Sequence, residues 1–125
     1  MKLDFVDERP IYVQIAEEIE DAILSGAFAE EEQIPSTTEI SVNYKINPAT
    51  ALKGINILVD SGTVYKKRGL GMFVSVGAKE RILQKRKQEF YDDFVISLLS
   101  EAAKLNMSKS EILDMIERGI DHEQH

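Results

Sequence analysis

The stretch IPSTTEISVNYKINPATALKGINILVDSGTVYKKRGLGMFV, residues 34–74, contains two helix starts, two helix stops and one change of period. Ser36 followed by Glu39 is the S-x-x-E pattern, in which the serine hydroxyl caps the third helical amide and the glutamate answers to the serine's own N–H. A short helix therefore begins at Ser36 and ends near Asn43 or Tyr44. Lys45, Ile46 and Asn47 make the next turn. Asn47 before Pro48 is a second start, an N-cap with proline at the first helical position. Leu52, Ile55, Leu58 and Val59 form its apolar stripe until Ser61-Gly62 stops it. Gly54 lies inside this helix at a cost of about 1 kcal/mol relative to alanine; close approach of a neighbouring backbone and tolerated drift both account for it. From Thr63 the pattern alternates, with Val64 and Lys66, the turn Arg68-Gly69-Leu70-Gly71, then Met72, Phe73 and Val74, which reads as a β-hairpin.

Upstream, Pro10 is placed as a first helical residue, and Ile11, Ile15, Ile19 and Ile23 recur every fourth position up to Gly26, a left-handed stop. The other face of that helix carries Glu17, Glu18, Glu20 and Asp21 and reads as solvated surface. An acidic loop, AEEEQ, leads into Ser36. Three helices, the second and third joined by a tight turn and followed by a hairpin with a basic tip, make a winged helix-turn-helix over residues 1–77. Downstream, a helix over residues 79–106, about 42 Å long at 1.5 Å per residue, carries Leu83, Phe90, Phe94, Leu98, Ala102 and Leu105 on one stripe. Ser108 and Glu111 form another capping box, opening a last helix with Ile112, Leu113, Ile116 and Ile120 on its apolar face. Residues 78–125 thus read as a two-helix antiparallel hairpin too apolar to stand alone, and a partner surface is implied. The fold class is mainly α with a small β-hairpin wing.

With 125 residues the chain fits one compact domain and an appendage. Hydrophobic content of 43% supports a packed core, and without cysteine there is no disulfide, Cys-based zinc site or thiol nucleophile. The N-terminal MKLDFVDERP lacks the apolar core of a secretory signal, and no run reaches a membrane span, so a cytoplasmic protein with no membrane association is expected. The net charge of -7 at first opposes binding to a polyanion, but its distribution is uneven. Residues 1–35 carry -8, residues 36–76 carry +3 and the remainder -2. One segment is electropositive in an acidic chain.

The succession RPIYVQIAEEIEDAILSGAF, IPSTTEIS, INPATALKGINILVDSGTV and YKKRGLGMFV resembles the GntR family of bacterial transcriptional regulators over residues 9–76. The short helical tail and the Asn47-Pro48 turn resemble its YtrA-like branch, whose members dimerise through a small two-helix domain. The resemblance implies a homodimeric repressor of a two-fold symmetric operator, with transporter operons among the targets. It places Ser36 and the start of the second helix on phosphate, and Asn47, Pro48, Ala49 and Thr50 in the major groove. Lys53 stands where the branch has a basic residue, and Lys66, Lys67, Arg68, Gly69 and Gly71 form the wing. Two positions depart from the pattern: Thr38 replaces the family's arginine, and Ala49 an asparagine common in the branch. Arginine paired bidentately with guanine contributes about 1–3 kcal/mol of discrimination, which neither residue reproduces, so a different operator is expected.

On residue chemistry, Ser36, Thr37, Lys45, Thr50, Lys53 and the basic wing are candidates for phosphate contact, with helix N-termini adding oriented amides. Phe90, Phe94, Leu98, Ala102, Leu105, Ile112 and Ile116 are the candidate dimer seam; Phe90, Tyr91 and Phe94 also suit an effector pocket, with the small-molecule effector itself unknown. The Lys-Lys-Arg run has a plainer reading as edge-strand protection, and a winged-helix protein-interaction module is the alternative function. The terminal Asp121-His122-Glu123-Gln124-His125 reads as a frayed end rather than a metal site. No nucleophile-base pair, ligand cluster or cofactor loop points to an enzyme.

Overall fold

A computed structural model describes residues 3–123, which fall into two compact units that divide after Gln84. Ala78 and Ile82, just after Gly77, are buried in the first unit's core. Gln124 and His125 of the terminal stretch are outside the described residues.

In the first unit, α1 (Ile11–Leu24) buries Ile15, Ile19 and Ile23, with Ile11 half-buried at the rim. Pro10 stands one position earlier than expected, as the N-cap. Glu20 corrects the reading of a solvated acidic face, since only 1% of it is exposed. Gln14, also buried, is fully engaged: its Nε2 donates to the carbonyls of Asp4 and Arg9 at 2.9 and 3.1 Å, and its Oε1 accepts from Asp4 N at 2.7 Å. A buried amide satisfied by main chain fixes that main chain in turn. The segment before α1 is further held by Arg9, which pairs with Asp7 and Glu17. Its side-chain hydrogen bond keeps the Asp7 carboxyl below the usual aspartate range.

Both capped helices follow the sequence. In α2 (Thr37–Tyr44) the Ser36 hydroxyl accepts from Glu39 N at 3.0 Å while Ser36 N donates to the Glu39 carboxylate at 3.2 Å. Lys45, in the left-handed region at φ 53°, ends it, and Ser41 closes the turn by donating to the Ile46 carbonyl at 2.8 Å. In α3 (Pro48–Asp60) Asn47 caps the Ala49 amide at 2.7 Å. Its inward face is Ala51, Gly54, Ile55 and Leu58. Leu52 and Val59, expected in the stripe, are 48% and 36% exposed. The core takes the small residues Ala51 and Gly54 instead because α1 lies so close: a Cβ at Gly54 would sit 2.9 Å from the Tyr12 carbonyl oxygen. Close backbone approach is therefore the reason for this glycine.

The hairpin pairs β1 (Val64–Lys67) with β2 (Gly71–Val74) in antiparallel register, Val64 opposite Val74 and Lys67 opposite Gly71. Residues 31–34, which carry no strand pattern in the sequence, run along β2 and bridge to it at Gln33 opposite Phe73. Glu31 N donates to Val74 O at 2.7 Å, Val74 N to Glu32 O at 2.9 Å and Ile34 N to Met72 O at 2.9 Å. Three helices with this hairpin constitute the expected winged helix-turn-helix.

From the first unit α4 (Ala78–Phe90) leads into the second, where a π-helical turn, Tyr91–Val95, joins it to α5 (Ile96–Lys104); α6 (Lys109–Glu123) follows. The uninterrupted α-helix expected over residues 79–106 thus contains a wider turn. Residues four apart advance about 40° beyond a full turn of α-helix, and a wider turn offsets part of that drift. Phe90 and Phe94 stack at 5.4 Å across it. The Ser108–Glu111 capping box is formed as expected. No helix among the described residues is long and apolar enough to cross a membrane.

Candidate nucleic-acid interface

The start of α2 leaves donors available. Ser36 N and Glu39 N are used within the capping box, and the amides of Thr37 and Thr38 occupy the first helical positions, which have no partner inside a helix. They point outward from the N-terminus, where the helix dipole favours an anion. At the start of α3 the situation is reversed. Pro48 has no N–H, Ala49 N is taken by the Asn47 side chain and Thr50 N by the Asn47 carbonyl at 3.0 Å. That end offers side chains rather than amides.

Exposed side chains of α3 include Ala49, Leu52, Lys53 and Asn56, with Pro48 before them and Val59 and Asp60 in the last turn. The spacing of three and four places Ala49, Leu52, Lys53 and Asn56 on one stripe. The apolar stripe read from the sequence places Leu52 in the core and gives Asn56 no role. The i, i+3, i+4, i+7 run from Ala49 was visible in the sequence, but it competed with the apolar run through Leu52 and Ile55, and only the α1 contact decides between them. Asn56 presents a side-chain amide and Leu52 an apolar surface, the kinds of group that suit adenine and the thymine methyl in a major groove. Lys53 is drawn aside, its Nζ 4.1 Å from the Tyr12 ring centroid.

A cleft of about 320 Å³ connects these parts, lined by Ser36, Thr37, Leu52, Ile55, Asn56, Val59, Lys66, Gly71 and Met72. It brings together four of the candidate residues, Ser36, Thr37, Lys66 and Gly71. Thr38, Asn47, Pro48 and Ala49 are exposed outside its lining and Thr50 is half-buried, while Lys45 is exposed at the far end of α2.

The wing cations do not form one cluster, because side chains alternate along a strand. Lys66 faces the cleft with Met72, its partner in register. Lys67 lies on the other face, 4.3 Å from the Phe73 ring and 5.8 Å from Tyr65. Arg68 and Gly69 stand exposed in the turn, where Gly69 at φ +77° and Gly71 at φ +117° hold conformations that side chains rarely adopt. The single cationic tip read from the run is thus three positions with different outlooks.

In the second unit Phe90, Phe94, Leu98, Leu105 and Ile116 are 41–71% exposed, and Ile112 is half-buried. Ala102 differs: it is buried, its carbonyl accepts from Leu105 N and Met107 N at 3.1 Å to close the turn, and what surface it keeps lines an apolar cavity. Two apolar cavities, of about 330 and 520 Å³, share Leu98, Ile112 and Ile116. Phe90, Tyr91 and Phe94 line neither of them.

Comparison with known proteins agrees with this geometry. Residues 11–74 match the family described as bacterial regulatory proteins, gntR family. The HTH-type transcriptional regulator YhcF of Bacillus subtilis is 26% identical over 116 residues, 93% of this chain and 94% of its own. A solved structure of a GntR-family transcriptional regulator from Bacteroides thetaiotaomicron is 37% identical, with a TM-score of 0.76 over 90% of this chain and 98% of that one. YtrA of Sulfolobus acidocaldarius, a GntR-family transcription factor, is 25% identical with a TM-score of 0.56 over the whole of both chains.

Proposed function

This chain belongs to the GntR family of bacterial regulatory proteins, as a YtrA-like transcriptional regulator with a DNA-binding domain and not an enzyme, and from that premise we propose that it is a homodimeric repressor of a two-fold symmetric operator. The observation that carries the proposal is the convergence of Ser36 and Thr37 at the α2 N-terminus, Leu52 and Asn56 of α3, and Lys66 on one cleft. The Thr37 and Thr38 amides and Lys66 hold backbone phosphate, which sets register, while Leu52 and Asn56 meet base edges, which sets sequence. Thr38 and Ala49 supply no bidentate base contact, so discrimination falls on the later part of the stripe.

One protomer offers few cations, and the exposed aromatic and aliphatic side chains of residues 85–125 support pairing with a second copy. Paired protomers present their α3 helices one DNA turn, about 34 Å, apart, and occlusion of a promoter then represses without any activating surface. If about eight phosphates are neutralised per dimer, log K falls with log salt at a slope of about -7. The transporter-operon target belongs to this proposal through the family branch alone. A binding titration with the DNA upstream of the gene, at several salt concentrations, tests the reading; a flat salt response or absence of binding refutes it. The apolar lining of the cleft by Leu52, Val59 and Met72 favours a second reading, a protein-interaction module, and that reading is selected if Lys66→Ala leaves DNA affinity unchanged.

A further inference from the structure

We infer that Gln33 is a positioning residue for the wing, tying its turn to the segment that caps α2 so that both meet one duplex as a single surface; this rests on the DNA-binding reading above. Gln33 Nε2 donates to the Leu70 carbonyl at 2.8 Å, across 37 positions of sequence. The bond lands in the turn itself, where Leu70 N also closes on Lys67 O at 2.9 Å. Gly71 makes room for it: a Cβ there would lie 2.5 Å from Gln33 Nε2. The main chain on either side of Gln33 is fixed as well, through the Glu32 and Ile34 bonds to β2, and Ile34 is buried at 2% exposure. Two residues later comes Ser36, the cap of α2.

A hairpin of two four-residue strands is marginal by itself. Gln33 is exposed, so burial does not require its amide to find a protein partner, and the bond's net contribution is modest. What the bond adds is position: Arg68 and Lys66 are held at a set distance from the Thr37 and Thr38 amides before DNA arrives. Ordering the tip in advance removes part of the cost of ordering it on binding.

Gln33→Met keeps the length of the side chain and removes the donor, and the experiment uses the full chain in two arms. Hydrogen exchange of the Leu70 amide in the DNA-free protein should quicken about threefold to tenfold, the equivalent of one net hydrogen bond. Affinity for DNA selected by the wild-type protein should fall by a similar factor, and this loss should vanish when Lys66, Lys67 and Arg68 are already alanine, because coupled residues do not add. Unchanged exchange overturns the inference, as does an affinity loss that persists in full without the three cations. Wild-type protein that selects no DNA defeats the functional reading instead, and the exchange arm still decides the clamp. Should Gln33→Met lower the thermal midpoint of the whole unit, Gln33→Ala repeated in both arms separates unfolding from loss of the bond.

Discussion

Gly54→Ala and Gly119→Ala are the same chemical change in two helix interiors, and the structure gives them opposite signs. Alanine is favoured over glycine within a helix by about 0.8–1 kcal/mol. At Gly119 in α6 a new Cβ meets nothing within 4 Å, so that gain is realised, about 0.5–1 kcal/mol. At Gly54 the Cβ arrives 2.9 Å from the Tyr12 carbonyl oxygen and 2.9 Å from Ile15 Cγ2, well inside the ordinary contact range that begins at 3.4 Å. Neither neighbour yields cheaply, since one is main chain of α1 and the other belongs to a side chain with 0% exposure. Overpacking a core costs about 1–3 kcal/mol, and a backbone obstacle puts this site in the upper part of that range. The net expectation for Gly54→Ala is a loss of about 1–2 kcal/mol, which for a unit of this size lowers the thermal midpoint by on the order of 5–15 °C. Urea unfolding followed by far-ultraviolet circular dichroism at fixed protein concentration measures both variants. Gly54→Ala as stable as wild type would mean that α1 and α3 do not approach as described, and the account of why α3 turns Leu52 outward would fall with it.

Lys66→Ala and Lys67→Ala should differ: the first removes a cation from the cleft and flattens the salt slope of a dimer by about 2, at roughly 0.9 per lost phosphate contact, while Lys67, resting on Phe73, matters less; equal effects would contradict the strand alternation. Asn56→Ala and Leu52→Ala should change which sequences are retained in a selection from random DNA, with about 1–3 kcal/mol lost at single base positions and the salt slope unchanged. A uniform loss across all sequences would instead place these residues on the backbone. Phe94→Asp or Leu98→Asp should convert the proposed dimer to monomer in size-exclusion with light scattering, and a monomeric wild type would remove the seam altogether.

The helix boundaries of residues 34–62 were legible because local chemistry sets them. A serine hydroxyl and a glutamate three positions on satisfy the same amides in any context, and so do asparagine before proline and glycine after a last turn. The hairpin was legible for a similar reason, since Gly69 and Gly71 mark backbone that other residues resist. Faces were less legible. Leu52 and Val59 fit an apolar stripe as well as Ala51 and Gly54 do, and periodicity cannot rank a large side chain against a small one when the gap to be filled is unknown. Glu20 was read as surface by its type, yet it is buried.

Sequence alone thus determined where the chain turns between residues 34 and 74, which of those segments coil or extend, and to which family of regulators it belongs, because these follow from bonds between near neighbours and from motif order. Tertiary contact alone decided which residues look outward. The closeness of α1 at Gly54 turned the Leu52–Asn56 stripe away from the core, and pleating divided Lys66 from Lys67. Gln33, silent in the sequence, gained its role only when 37 positions of chain had folded back to place Leu70 beside it. Direction in space depends on distances between segments, and no local pattern encodes those.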